Sequence, residues 1–300
     1  MSSARIHFRS SGRDVRRGLL WISPWVVGFV LFFGVPTVLS VVYSFCDLSL
    51  LESPVFVGAD NYKELLRDPM FTHAVRNTLE YALASVVLST VLTIGVAVLL
   101  EQRLRGREFM RAVIFLPTLV PAVSGVIVWA WMYNPGYGLI NSALRAIGLT
   151  SGGPDWMGST TLAMPSLVFM SLWVIGSSLT VYTAALRDAP RSLYEAADID
   201  GVRAWGRFRN VTLPMISPAV LFNSVMSLIW SLQFFAAPYI MTKGGPENST
   251  YSYSMYVYFN AFYYGRMGYA CALAWIQIIA TVALTALVLR LTRGIVFYRA

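Results

Sequence analysis

Six stretches of the chain carry no alternation of polar and apolar positions; they are apolar all round. They run over residues 19–43, 81–100, 112–133, 162–186, 215–240 and 269–289. A helix needs about 20 mostly apolar residues to cross the hydrocarbon core of a bilayer, so each run predicts one transmembrane span. Backbone groups in lipid must find partners within the protein, which leaves helices or a closed barrel. Continuous runs, instead of ten-residue alternations, exclude the barrel. The predicted fold class is therefore all-α integral membrane, a six-helix bundle. Pro24 and Pro36 fall in the first run, Pro117 and Pro121 in the third, Pro165 in the fourth, and Pro218 and Pro238 near the two ends of the fifth. Each removes a helix hydrogen bond and favours a kink. Proline is also common in ordinary membrane helices, so the pattern leaves the meaning of these kinks open.

The polar segments between the runs set the orientation. The N-terminus, the 101–111 and 187–212 segments and the C-terminus hold 17 Arg, whereas the intervening loops hold 6 Lys or Arg. Acidic residues divide 7 against 8, so the positive charges choose the side. Both termini are expected in the cytoplasm, and the loops after Tyr43, Tyr133 and Ile240 face outward. Residues 1–18 read as a cytoplasmic basic arm. The first run is too long for a signal-peptide core and lacks a cleavage site, so it reads as a retained span. Residues 19–300 read as a single transmembrane domain with a cytoplasmic loop over 187–214.

Composition narrows the classes. Charged residues make up 13% of the chain and hydrophobic ones 56%, with a mean hydropathy of +0.59; soluble domains carry about a quarter charged residues. A net charge of +8 could suggest nucleic acid, but the basic residues sit between spans and not along one face, so no nucleic-acid partner is expected. Cys46 and Cys271 are far apart, and the two histidines are His7 and His73. Neither a disulfide framework nor a metal site follows. No ionisable cluster lies within the spans, where a membrane enzyme or a proton-coupled carrier would need one. The chain is not expected to be an enzyme.

One cytoplasmic stretch is dense in signals: Glu195-Ala196-Ala197-Asp198-Ile199-Asp200-Gly201, then Trp205, Phe208, Leu213 and Pro214. Pro190 suits a helix start and Gly201 a left-handed helix end. Ala196 and Ala197 are small enough for another surface to approach closely. Trp205 and Phe208, three apart, share a helix face. Two readings fit: insertion into a partner protein, or an amphipathic segment on lipid headgroups with Arg203, Arg207 and Arg209 toward phosphates.

That pattern resembles the cytoplasmic signature of permease subunits of binding-protein-dependent ABC importers. In that family the loop forms a coupling helix seated in a cleft of the ATPase subunit. The resemblance assigns ATPase coupling to Glu195, Ala196, Ala197, Asp200, Gly201, Phe208, Leu213 and Pro214. Met241-Thr-Lys243-Gly244-Gly245-Pro246 with Tyr258-Phe-Asn-Ala-Phe262, and the 24–81 stretch with Pro36, Gly58, Asn61-Tyr62 and Asp68-Pro69, are similar to the carbohydrate branch, the maltose- and glycerol 3-phosphate-type permeases. No large inserted outer domain of the kind one maltose-type subunit carries is present.

The resemblance implies a multi-pass subunit of a bacterial inner (plasma) membrane, working with a second permease expected to be a different chain, two ATPase subunits, an extracytoplasmic solute-binding protein and a sugar substrate. No Gly-x-x-x-x-Gly-Lys-Ser/Thr occurs, so no phosphate-cradling loop is present. ATP and Mg are expected on the partner ATPase, with no cofactor in this chain.

A sugar site needs hydrogen-bonding groups and aromatic faces without charge. Asn223, Ser227, Trp230 and Phe234 share one stripe of the fifth span, with Gln233 beside them; Trp173 and Gln277 are secondary candidates. The same stripe also suits plain helix packing. Lys243, Gly244, Gly245 and Pro246 read as a docking surface for the binding protein or as a simple turn. A related importer for glycerol phosphate, amino acids or peptides, and an ion-coupled carrier, are the competing readings.

Overall fold

The computed structural model describes residues 12–49, 52–102, 104–294 and 296–297. The first eleven residues of the expected basic arm lie outside the described residues. The chain divides into two compact units: Met1–Glu64 with Asn260–Trp275, and Leu65–Phe259 with Ile276–Ala300.

The first unit opens with α1 (Gly12–Phe29), a π turn (Val30–Gly34) and α2 (Val35–Tyr43). Together they give a continuous apolar helix over Arg16–Tyr43. The π turn closes with Val35 N–H donating to the Val30 carbonyl, directly before Pro36, which has no N–H for the Phe32 carbonyl. Proline supplies no N–H to the carbonyl four residues back, and a widened turn absorbs the gap. A two-residue antiparallel ladder follows, β1 (Cys46–Asp47) against β2 (Val55–Phe56), which is the departure from the all-helical expectation among the described residues. It is pinned by α3 (Asp60–Leu65), whose Asn61 side-chain amide donates to the carbonyls of Ser44 and Cys46, each at 2.9 Å.

The second unit is helical. It contains α4 (Pro69–Glu101), α5 (Arg107–Phe115), α6 (Ala122–Met132), α7 (Leu139–Ala146), α8 (Ala163–Ser171) and α9 (Gly176–Arg187). Then come α10 (Arg191–Ile199), α11 (Ala204–Arg207), α12 (Leu213–Leu232), α13 (Ala236–Met241) and α14 (Tyr253–Tyr258); α15 (Met267–Thr292) belongs to the first unit up to Trp275 and to the second from Ile276. The second predicted span begins twelve residues before its apolar run, at Pro69, because Asp68 caps it: its carboxylate accepts from Met70 N–H at 2.8 Å, the usual device for an orphan donor.

Among the described residues, four helical stretches are long and apolar enough to cross a membrane, and six if two bent pairs are each one span. The third predicted span, 112–133, is one of those pairs: Arg107–Leu119 and Ala122–Met132 meet at 104°. Val120 is extended there, with ψ 128°, as expected of a residue that precedes proline. The fourth bends by 52° before Gly176. At Gly176 a side chain would strike the Phe115 Cα at 2.8 Å, so the glycine allows α9 to cross α5 at backbone distance. The fifth is interrupted at 233–235, where Pro238 cannot bond the Phe234 carbonyl.

Candidate functional site

A cavity of about 530 Å³ lies between α4, α9 and α12. Toward the Glu101 end of α4 it is bounded by the interlocked core of Ile94, Ala97, Leu100, Leu179, Tyr182 and Ile216. Toward the Pro69 end a second cluster joins Tyr81, Leu167, Val168 and Phe234. Within it Tyr81 and Phe234 stack, centroids 3.8 Å apart and planes within 10°. Between the two clusters the wall is uncharged and mixed: Ser85, Ser89, Thr90 and Thr93 from α4, Ser177 and Ser178 from α9, and Asn223, Ser227 and Ser231 from α12 alternate with the rings of Tyr81, Tyr182 and Trp230 and with apolar Val86, Val174, Ile175, Val181, Phe222 and Met226. No lining residue carries a charge.

Helical periodicity puts the polar groups there. Ser85, Ser89 and Thr93 recur every fourth residue and share a face. Several of these hydroxyls donate to their own helix, as Thr93 Oγ1 does to the Ser89 carbonyl at 2.6 Å and Ser231 Oγ to the Leu228 carbonyl at 2.9 Å. Such back-bonds satisfy a hydroxyl in an apolar setting yet leave its lone pairs for a guest. Asn223 Nδ2 and Tyr182 Oη are buried beside the cavity, with Tyr182 Oη facing the side chains of Thr90 and Asn223.

Of the sequence-derived candidates, Asn223, Ser227 and Trp230 line this cavity. Phe234 lies past the end of α12 and packs against Tyr81 instead. Gln233 is exposed at the helix end. Trp173 sits in a 3₁₀ turn and meets Trp129 edge-on. Gln277 donates to the Leu232 carbonyl and to Ser254 Oγ, a structural tie at the end of α12. The α4 hydroxyls were missed, although their fourfold spacing inside an apolar run is a legible signal.

The 187–214 loop folds as α10, a left-handed Gly201 and α11 running through a π turn (Phe208–Thr212) into α12. The end of α10 is a Schellman motif: Val202 N–H bonds the Ala197 carbonyl at 2.9 Å and Gly201 N–H the Asp198 carbonyl at 3.2 Å, with Gly201 at φ 67°. Ala197 is buried, whereas Glu195, Ala196, Asp200 and Gly201 are exposed. Ile199 and Trp205 are 87% and 71% exposed, so two large apolar side chains stand outward beside the small ones. Trp205 stacks on Phe208 at 5.5 Å, and Phe208 packs in turn against the core below the cavity. Asp198 and Arg207 close the loop with a 2.5 Å ion pair. Pro214 follows Leu213 in the first turn of α12, and the π turn before it absorbs the bond that its missing N–H cannot make.

At the opposite end, Lys243-Gly244-Gly245-Pro246 is a tightly bonded turn. Lys243 and Gly244 both have positive φ, and Gly245-Pro246 is cis. A side chain on Gly244 would strike the Tyr251 ring at 2.6 Å. The Thr250 hydroxyl ties to the Gly245 carbonyl at 2.8 Å. Asn77 of α4 donates to the carbonyls of Asn248 at 2.8 Å and Tyr251 at 3.1 Å, so the turn is held on α4. Lys243 itself is exposed.

Residues 94–296 match the family described as "Binding-protein-dependent transport system inner membrane component". The chain is 33% identical to the probable ABC transporter permease protein YesP of Bacillus subtilis, over 97% of this chain and 94% of the relative. It is 30% identical to the trehalose/maltose transport system permease protein MalF of Thermococcus litoralis, over 94% and 95% respectively. Its fold is similar to a chain in the crystal structure of a bacterial alginate ABC transporter in complex with an alginate pentasaccharide-bound periplasmic protein. That similarity has a TM-score of 0.81 at 20% identity, covering 96% of this chain and 99% of that one.

Proposed function

The chain belongs to the binding-protein-dependent transport system inner membrane component family, the permeases of ABC transporters, and from that premise we propose that it is one permease half of an ATP-driven importer of neutral sugars. Members of this family are integral membrane transport subunits and not enzymes. The observation that carries the substrate class is the uncharged, hydroxyl-rich cavity between α4, α9 and α12. A neutral saccharide offers hydroxyls that both donate and accept, as serine and threonine do, and apolar ring faces suited to an indole such as Trp230. The name of the Thermococcus litoralis relative points to the same chemistry. A phosphate ester or a uronic acid would call for a cation, and this cavity supplies none.

On this reading the 187–214 loop faces the cytoplasm, as do both termini, and seats its small and apolar face (Ala196, Gly201, Trp205) on a separate ATPase subunit. A second permease completes the pathway, and a solute-binding protein delivers sugar near the Lys243–Pro246 turn at the outer surface of a bacterial cell membrane. ATP drives transport because the ATPase and the loaded binding protein prefer different states of the helix bundle, which couples their affinities.

The test is purification of the tagged chain from mild detergent, reconstitution in proteoliposomes with its co-purifying subunits and binding protein, and uptake of neutral disaccharides and uronic acid oligomers. Neutral-sugar uptake that needs ATP and survives collapse of ion gradients is the expected result. A chain that purifies alone from several mild detergents, or uptake that follows an ion gradient, overturns the reading.

A further inference from the structure

The root of the 187–214 loop is tied to the cavity helices by an ion cluster that the loop's own motif does not include. Glu101 is the last residue of α4, and its carboxylate accepts from Arg111 on α5 at 2.5 Å and from Arg187, the last residue of α9, at 3.0 Å. Arg111 also reaches Glu108 at 2.9 Å and the Leu100 carbonyl at 3.4 Å. One carboxylate thus joins the ends of α4 and α9 to the middle of α5. The geometry is not that of a loose surface pair. Arg111 is only 16% exposed and Glu101 23%, and Arg111 Nε is sealed without a partner. A guanidinium in that setting is held by its carboxylates, and loss of one leaves charge that nearby groups do not offset.

The cluster's position gives it a role. Arg187 begins the loop, and the same ends of α4 and α9 pack in the core that floors the cavity: Leu100 and Tyr182 belong to it, and Leu186, together with Phe208 of the loop, packs against it. Tyr194 of α10 is tethered to Thr212 by its hydroxyl at 3.2 Å. A push on α10 has two routes into the bundle: forward through Phe208 into α12, and backward through Asp188–Pro190 into α9. The backward route transmits force only if the end of α9 is fixed to its neighbours; otherwise the short connection swivels. Fixed contacts move as a block, and packed elements switch between discrete arrangements instead of deforming smoothly.

We propose that Glu101 is a positioning residue for energy coupling: by clamping Arg187 and Arg111 it makes α4, α5 and α9 answer together to movement of the 187–214 loop. This rests on the reading of that loop as the ATPase contact. Neutralising Glu101 breaks the clamp and leaves the loop seated but slipping, so ATP is hydrolysed with less sugar moved and less response to the loaded binding protein.

The experiment compares Glu101→Gln, Glu101→Asp, Arg187→Gln and Arg187→Lys with the unaltered chain, in the reconstituted complex, by uptake per ATP and by the ratio of ATPase rates with and without sugar-loaded binding protein. Glu101→Gln and Arg187→Gln are expected to lower both quantities at least threefold, and the charge-conserving Glu101→Asp and Arg187→Lys to restore most of them. A purely structural role would lower yield or melting temperature in proportion in all four, without separating charge from shape. Arg187 is half exposed, so its variants report even if Glu101→Gln fails to assemble. Arg187→Gln with unaltered coupling overturns the proposal. A Gly201→Val variant run alongside separates the two layers: if it is uncoupled while the Arg187→Gln chain is not, the clamp alone falls, and if Gly201→Val is fully coupled, the reading of the loop falls first.

Discussion

Gly201 is where backbone conformation and coupling can be separated. Its φ of 67° lies in the left-handed region, which costs an L-residue roughly 1–2 kcal/mol and a β-branched residue more. Space is not the constraint, since a side chain there would meet nothing of this chain within 4 Å. The Schellman bonds from Val202 and Gly201 to Ala197 and Asp198 hold only while that φ persists. A penalty of 1–2 kcal/mol shifts a local equilibrium about 5- to 30-fold, so Gly201→Ala should leave the α10 end partly unwound and Gly201→Val mostly so. Asparagine tolerates the left-handed region, and Gly201→Asn should therefore stay close to the unaltered chain despite its greater bulk. The assay is ATPase stimulation by sugar-loaded binding protein in proteoliposomes, beside the melting temperature of the purified complex. The expected order of stimulation is Gly, Asn, Ala, Val. If Asn is as damaging as Val, the position is limited by a partner's surface and not by φ, and the conformational argument is refuted; full stimulation with Val would refute the assignment of the loop as well.

Other predictions concern the cavity and its outer cluster. Asn223→Ala and Trp230→Ala each remove one contact to a neutral sugar, worth about 0.5–1.5 kcal/mol, and should raise the KM for uptake by up to about tenfold with assembly intact; unchanged uptake would mean that this stripe serves packing. Ser227→Arg places a cation in a wall that has none and should abolish neutral-sugar uptake while the complex still purifies, an outcome countered by normal uptake. Phe234→Ala deletes a ring that is buried and stacked on Tyr81, a loss of about 3–5 kcal/mol, and should lower the melting temperature of the complex before it changes substrate preference. A Phe234→Ala chain with unaltered stability but altered specificity would return that residue to the substrate pathway.

The pattern of these predictions follows what one-dimensional reasoning can see. Apolar runs expose spans because lipid demands them, and each of the six runs falls on a helix or a bent helix pair, four of them long and apolar enough to cross a membrane unbroken. Hydropathy could not see that α4 continues to Pro69, because its outer turns are polar and are declared only by the Asp68 cap. Nor could it see the 104° bend of the third run; Pro121 marked the spot, but proline alone does not say whether a helix kinks or turns away. The helical wheel failed at one identifiable place. Counting in steps of three and four put Phe234 on the stripe of Asn223, Ser227 and Trp230, and the count is valid only while the helix lasts. The helix ends at Leu232, two residues short, because Pro238 cannot serve the next turn. Glu101, Arg111 and Arg187 were legible only as charges flanking spans, counted toward orientation. Their meeting depends on how α9 packs across α5, where Gly176 approaches Phe115 at backbone distance, a contact between residues 61 positions apart that no local pattern encodes. A charge read in the sequence for the way a span faces is, in three dimensions, also available to bind one span to the next, as Arg111 and Arg187 do through Glu101.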